Sequence, residues 1–370
     1  MITRTAITLG IICGLSLFGA FRATAQTEHT FEFNGVERTY FLDSPVEFNS
    51  GAALVFVLHG YGGTAWSMRN YSGWSALAES EGIMVCYPQG SLDIEDSPHW
   101  NANLGISASN DHGFLNALAQ HLQTTYFLSP ECTYSCGFSN GGYMSYSLAC
   151  SHPETFRAVG SVTGSMSEFD FDNCNPEEAV PVIHFHGTAD YVVNYNNGAG
   201  GNWGDEGVEE IMDLWTGMMG TTEMTETELP NLEEVDDSSV DFFRHHGAAG
   251  GQEFHHYRVN GGGHQWFGVW GNQDIQATEL LWDFFESHCS GEFTGVEEAM
   301  ATESALAFWN GEQVGILADC NLTAWDAQGR QIWHQKHATR GTRIDRGQLQ
   351  GIMMLQAIGT NGQSIILRIH

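Results

Sequence analysis

The stretch "CGFSNGGYMSYSLAC", residues 136–150, decides the fold. It follows the apolar run "CTYSCGFS" and carries one serine between glycines, in the pattern G-x-S-x-G (137–141). A run of this kind reads as a buried strand, a sharp turn and then a helix beginning near Asn140. Such a turn exposes the Ser139 hydroxyl, while Gly137 and Gly141 remove side chains that would collide where strand and helix approach. The pattern occurs by chance, so the elements around it must supply the rest.

Outward from the elbow, short apolar strands alternate with helices. Strands are expected at 53–60, 83–90, 156–164 and 181–190, and helices at 74–82, 111–126 and 274–288. In the 111–126 helix Phe114, Leu115, Leu118 and Leu122 share one face, and Leu281, Phe284 and Phe285 do so in the last. A hairpin turning at Asn34–Gly35 precedes them all. Alternation of this kind implies an α/β fold, a mostly parallel sheet covered by helices on both faces.

A nucleophilic serine needs a base and an acid to orient it. The glycine run "NGGGHQWFG" (260–268) presents His264, and Asp190 closes the strand "VIHFHGTAD". Asp170 and Asp172 in "EFDFDNC" are alternative acids, though no clear strand leads into them. His59 and His184 sit in or beside strands and read as hydrogen-bonded core histidines. The chain order Ser139, Asp190, His264 is that of the α/β-hydrolase fold. The oxyanion formed by attack needs two donors. The Asn140 backbone N–H at the helix start is one, and the Tyr61 backbone N–H in "LHGYGG" (58–63) is the candidate for the other.

Taken together, "LHGYGG", "GFSNGGYMSYSLAC", "HGTADYVV" and "GGGHQWFG" resemble the secreted polyhydroxybutyrate-depolymerase and feruloyl-esterase group of serine esterases, over about residues 30–290. The resemblance implies an α/β-hydrolase catalytic domain acting on an ester substrate, polymeric in many of these enzymes, with no cofactor. A serine peptidase of the same fold and a non-catalytic binding protein are the competing readings. Cys150 follows the elbow helix and Cys174 shortly precedes the Asp190 strand; the group often has cysteines in these places, which implies a Cys150–Cys174 disulfide. Connectivity of the other cysteines is open. Trp66, Trp100, Trp203, Trp266 and Trp270 fall in or near loops at the catalytic ends of strands, and Trp266, two residues after His264, is the candidate substrate contact.

Residues 1–25 read as an export signal, with Arg4, an apolar stretch at 6–20 and the small residues "ATA" at 23–25. No later segment is apolar and long enough to span a membrane. Export makes disulfides the natural use of the cysteines. The formal net charge of −32, with Lys336 the only lysine, excludes nucleic acid as a partner and suits a protein kept soluble in salt. Two His-His pairs in "FRHHGAAGGQEFHHYRV" (243–259) sit on paired strands that offer one histidine per face, so no metal site is expected. The acidic run 226–237 reads as a solvated loop.

The charge is unevenly spread. Residues 1–300 hold 7 of the 13 basic and 40 of the 45 acidic residues, whereas 301–370 are nearly neutral. This break divides the chain into a catalytic domain (27–290), a linker (291–303) and a small β-sandwich (304–370). The tail's "LTAWDAQGRQIW", "IDRGQLQGIMMLQ" and "NGQSIILRIH" resemble the C-terminal sorting domain of the type IX secretion pathway. That resemblance implies export machinery as a partner and a final location outside the cell or on its surface.

Overall fold

A computed structural model describes residues 28–45, 51–196 and 206–289. In the C-terminal part it describes 307–309, 313–316, 319–325, 331–339, 342–345, 354–359 and 364–368. The expected export signal (1–25), the expected linker (291–303) and Trp203 lie outside the described residues.

The described residues begin with a hairpin of β1 (Glu28–Phe33) and β2 (Val36–Asp43). Asn34 and Gly35 both have positive φ, 53° and 78°, the two-residue turn that matches the twist of paired strands. Then come β3 (Leu54–Leu58), α1 (Ala65–Tyr71), α2 (Trp74–Glu81) and β4 (Met84–Pro88). A small two-stranded ribbon, β5 (Ser91–Leu92) and β6 (Pro98–His99), leads to α3 (Asp111–Tyr126). The elbow joins β7 (Thr133–Phe138) to α4 (Asn140–Ser151). Next are β8 (Ala158–Val162), α5 (Glu168–Asn173), β9 (Val182–Gly187) and α6 (Val208–Met219). Finally β10 (Glu223–Glu228), β11 (Ser239–His246), β12 (Phe254–Asn260) and α7 (Ala277–Ser287) complete this part of the chain.

These strands make one ten-stranded sheet in the order β1-β2-β4-β3-β7-β8-β9-β12-β11-β10. The run from β4 to β12 is parallel and both flanks are antiparallel. β3, β4, β8 and β9 are buried along their whole length, because helices cover both faces. Alternation along β3 divides the core in two. Leu54, Phe56 and Leu58 pack with Phe114, Leu118 and Trp215, whereas Val55 and Val57 pack with Trp74, Leu281 and Phe285.

Helices α2, α3 and α7 coincide with the periodic segments, and Gly82 ends α2 in the left-handed conformation at φ 67°. Helices α1, α5 and α6 were not apparent from the pattern; α1 and α5 are too short for periodicity to register. The acidic run is not a loop throughout. Glu226–Glu228 belong to β10, which pairs with β11 as an edge strand with every residue exposed. Glutamates on that edge discourage further pairing.

Cys150–Cys174 is a disulfide, with Cα atoms 5.1 Å apart. A second, Cys132–Cys289, ties the start of β7 to the end of α7 across 157 residues. Cys86, Cys136 and Cys320 are free and buried. The described residues beyond 307 are almost all in strands. They form a three-stranded sheet (307–309, 313–316, 343–345) and a four-stranded one (320–325, 331–338, 354–359, 364–368), neither sharing a strand with the large sheet. Among the described residues no helix is long and apolar enough to cross a membrane.

Candidate active site

Ser139 sits at the C-terminal end of β7 with φ 53° and ψ −118°, a conformation costly for any residue with a Cβ. Two glycines make it attainable. A Cβ on Gly137 would lie 2.3 Å from the Gly141 carbonyl carbon, and one on Gly141 would lie 2.4 Å from Leu58 O. The elbow is therefore jammed between β3 and α4, and Ser139 N–H donates to Val162 O on β8 at 2.9 Å.

Asp190 and His264, the candidate acid and base, meet. His264 Nδ1 lies 2.7 Å from Asp190 Oδ2, and the Asp190 side chain is fully buried. The other carboxylate oxygen, Oδ1, accepts from Val192 N–H at 2.8 Å and Val193 N–H at 3.0 Å. That carboxylate is an acceptor only, so the proton on Nδ1 points to Asp190 and Nε2 is left as the basic nitrogen. The ring of Phe138, next to Ser139, lies 4.8 Å from the His264 imidazole, which puts the elbow and His264 side by side. Asp170 is elsewhere: it lies on α5, and its Oδ1 accepts from Asn103 Nδ2 at 2.6 Å.

The loop after β3 borders the elbow. A Cβ on Gly60 would lie 3.4 Å from Ser139 Cβ, so Gly60, the residue before Tyr61, runs beside the serine. Three buried groups set this loop. His59 Nε2 accepts from Gly90 N–H at 3.0 Å, so Nδ1 carries the proton and donates to Gly60 O at 2.8 Å. Burial pushes the His59 imidazole down to about 4, keeping it neutral. Trp100 Nε1 donates to His59 O at 2.9 Å. The Asn140 side chain pairs twice with the Trp100 backbone, accepting at 2.7 Å and donating at 3.0 Å. Asn140 is the first residue of α4, where the backbone N–H has no partner within the helix. Tyr61 is exposed at the rim, with its hydroxyl on Asp93.

Trp266 is not a substrate contact. It is fully buried, and its Nε1 donates to Thr278 Oγ1 at 2.9 Å, because the glycine loop folds back under α7. Trp270, four residues on, takes the surface position. It is 37% exposed, with its ring 5.9 Å from Phe138 and 5.1 Å from Tyr71. An aromatic strip thus runs Tyr71–Trp270–Phe138–His264. Trp66 is also exposed and packs on Phe41, whereas Trp100 is buried.

The His-His pairs are divided between environments. His256 faces inward, its Nδ1 3.3 Å from His184 O, whereas His255 meets Glu253 at 2.8 Å. Among the described residues no three histidine, cysteine or acidic groups converge as metal ligands.

Strand order, elbow and covering helices are those of the α/β-hydrolase fold. Acetyl xylan esterase from Aspergillus awamori superimposes with a TM-score of 0.51 at 15% identity, over 70% of this chain and 99% of that one. In sequence, the putative esterase NocK of Nocardia uniformis is 32% identical over 140 residues, 38% of this chain and 40% of NocK. A probable feruloyl esterase C of Aspergillus clavatus is 28% identical over 186 residues, 48% of this chain and 65% of that protein. The chain therefore spans less than two thirds of either relative's length. No protein-family model matches it.

Proposed function

We propose that this chain is a secreted serine esterase that cleaves carboxylic esters through an acyl-enzyme on Ser139. The observation that carries the reading is the buried Asp190 carboxylate on His264 Nδ1, beside a strained serine elbow. Ser139 Oγ attacks the ester carbonyl while His264 Nε2 takes its proton. The proton then goes to the departing alkoxide, leaving the acyl group on Ser139. A water deprotonated by His264 attacks that acyl-enzyme, and as the Ser139 oxygen departs His264 returns the proton to it, releasing the carboxylic acid and restoring the serine. In both steps the carbonyl oxygen becomes an oxyanion, which the Asn140 and Tyr61 backbone N–H groups stabilise. The rigid setting of their loops by His59, Trp100 and the Asn140 side chain favours this, since donors fixed in advance need no reorganisation. No cofactor enters the chemistry.

Within this class we favour hydroxycinnamoyl esters of polysaccharide. The Tyr71–Trp270–Phe138 strip leads from solvent to His264 and offers an aromatic acyl group a stacking wall. The relatives named feruloyl and acetylxylan esterases agree with that choice. Acetyl esters and polyhydroxyalkanoates are the alternatives within the same chemistry. Export is supported by the leader pattern in 1–25 and by the two disulfides. We assign the strand-rich tail the role of an export address.

The test is hydrolysis of methyl ferulate, acetylated xylan and polyhydroxybutyrate by the purified chain, beside Ser139→Ala. Methyl ferulate turnover that vanishes in the variant is the expected outcome. Turnover of peptides alone, or of nothing, refutes the esterase reading, and equal rates for both proteins remove Ser139.

A further inference from the structure

Next to Asp190 lies a buried polar cluster that the ester chemistry above does not use. His184 and His186 project from the same face of β9, two residues apart, with rings stacked 5.3 Å apart. Tyr146 of α4 meets His184, its hydroxyl 2.8 Å from Nδ1. His184 Nε2 is 3.1 Å from His186 Nδ1. His186 Nε2 is 2.9 Å from Val193 O and 3.6 Å from Asp190 Oδ2. All three side chains, and Asp190, are buried.

The protons in this row are fixed by its end. Val193 O can only accept, so His186 Nε2 carries hydrogen and donates to it. With His186 neutral, its Nδ1 accepts from His184 Nε2–H, and His184 Nδ1 accepts from the Tyr146 hydroxyl. Every nitrogen is then satisfied without burying another charge. Burial holds His184 well below the usual imidazole range, in keeping with a neutral row.

The far end of the row grips the turn that carries the acid. Val192 and Val193 N–H hold Asp190 Oδ1, and Val193 O is held by His186. Tyr195, two residues on, is tied to His256 Nε2 on β12 at 2.9 Å. The Asp190 turn therefore hangs from two histidines of adjacent strands. The Nε2–H of His186 also faces Oδ2, the oxygen shared with His264.

We propose that His186, backed by His184 and Tyr146, is a positioning residue that fixes the Asp190 turn and so the orientation of the His264 imidazole. This rests on Asp190 and His264 being the catalytic pair. Loss of the His186 donor leaves the Val193 carbonyl unpaired and frees the turn to shift. A displaced carboxylate costs turnover rather than ester affinity, since neither His186 nor Asp190 lines the acyl strip.

The experiment compares wild type, His186→Phe and His186→Gln on one short-chain chromogenic ester, with folding checked by thermal melting. The phenylalanine ring fills the space without a donor, while the glutamine amide can still donate to Val193 O. The expected result is a 10- to 100-fold fall in kcat for His186→Phe with KM within threefold, and recovery to within fivefold of wild type in His186→Gln. Imidazole-nitrogen NMR of the wild-type chain should find His186 neutral with hydrogen on Nε2, a readout independent of hydrolysis. A folded His186→Phe with wild-type kcat, or His186→Gln no better than His186→Phe, overturns the proposal. Hydrogen on Nδ1 in the NMR spectrum overturns it too. Should His186→Phe not fold, the kcat of His186→Gln and the NMR result decide. A wild type inactive on every ester sinks the esterase reading instead, with the NMR result still bearing on the grip.

Discussion

Replacing Asp190 by asparagine is the sharpest probe of the pair at the centre of the site, because the surroundings dictate how the new amide must sit. Oδ1 of Asp190 accepts from two backbone N–H groups, at 2.8 and 3.0 Å. An amide nitrogen turned that way would face two donors, losing both bonds in a buried place. The substituted side chain therefore keeps its oxygen on Val192 and Val193 and turns its NH₂ toward His264 Nδ1, which now must accept. The imidazole proton moves to Nε2, where the serine's proton has to go. The base is lost although the fold is kept. A wrong tautomer of this kind lowers kcat by about 10⁴-fold, or roughly 5.4 kcal/mol of barrier. Stability should change little, since both Oδ1 bonds survive and no new void opens. The assay is initial-rate hydrolysis of a short-chain chromogenic ester with circular-dichroism melting alongside. A folded Asp190→Asn retaining a tenth or more of wild-type kcat would refute the reasoning and move the acid elsewhere.

Four further outcomes follow from the geometry. Trp270→Ala should raise KM for methyl ferulate about 3- to 10-fold, the worth of one aromatic contact, and leave an acetyl ester unchanged; equal effects on both would remove the stacking wall. Gly141→Ala forces a Cβ to 2.4 Å from Leu58 O, so a loss of about 2–3 kcal/mol or more in stability, with no turnover, is expected in denaturant titration. Acid should destabilise the fold before the carboxylates titrate: His59 is held at about 4 by burial against about 6.5 when unfolded, so its contribution is complete above pH 6.5 and is withdrawn as pH falls toward 4. His59 alone removes about 3 kcal/mol over that window, and a melting temperature flat from pH 7 to 4 would contradict it. A chain ending at residue 300 should hydrolyse the same ester at the full-length rate when made in a heterologous host; a soluble, folded but inactive product would tie the tail to the site.

The sequence discloses this site unevenly, and the unevenness has physical causes. The elbow is legible because only glycine fits at 137 and 141, where a Cβ would meet backbone 2.3–2.4 Å away. Helix α3 is legible because Phe114, Leu115, Leu118 and Leu122 must all face the sheet, and periodicity records that demand. Spacing carries no record of which way a loop residue turns. Trp266 and Trp270 both follow His264 in a glycine-rich segment, and only packing sends the first under α7 and the second to the rim. Helix α6 buries Val208, Ile211, Trp215 and Met219 at helical spacing, so its signal is present, but glycine-rich residues before it obscure where it starts. The histidine row is hidden for another reason. In "VIHFHGTAD" the histidines at 184 and 186 look like ordinary core polar residues of a strand, and a buried imidazole is tolerable wherever partners satisfy it. What makes them more than that is Tyr146 from α4 at one end and Val193 O at the other, contacts made across the fold. One rule thus serves both cases: residues that backbone geometry demands can be read from the chain, whereas those that act by holding another residue appear only once the partners are in place.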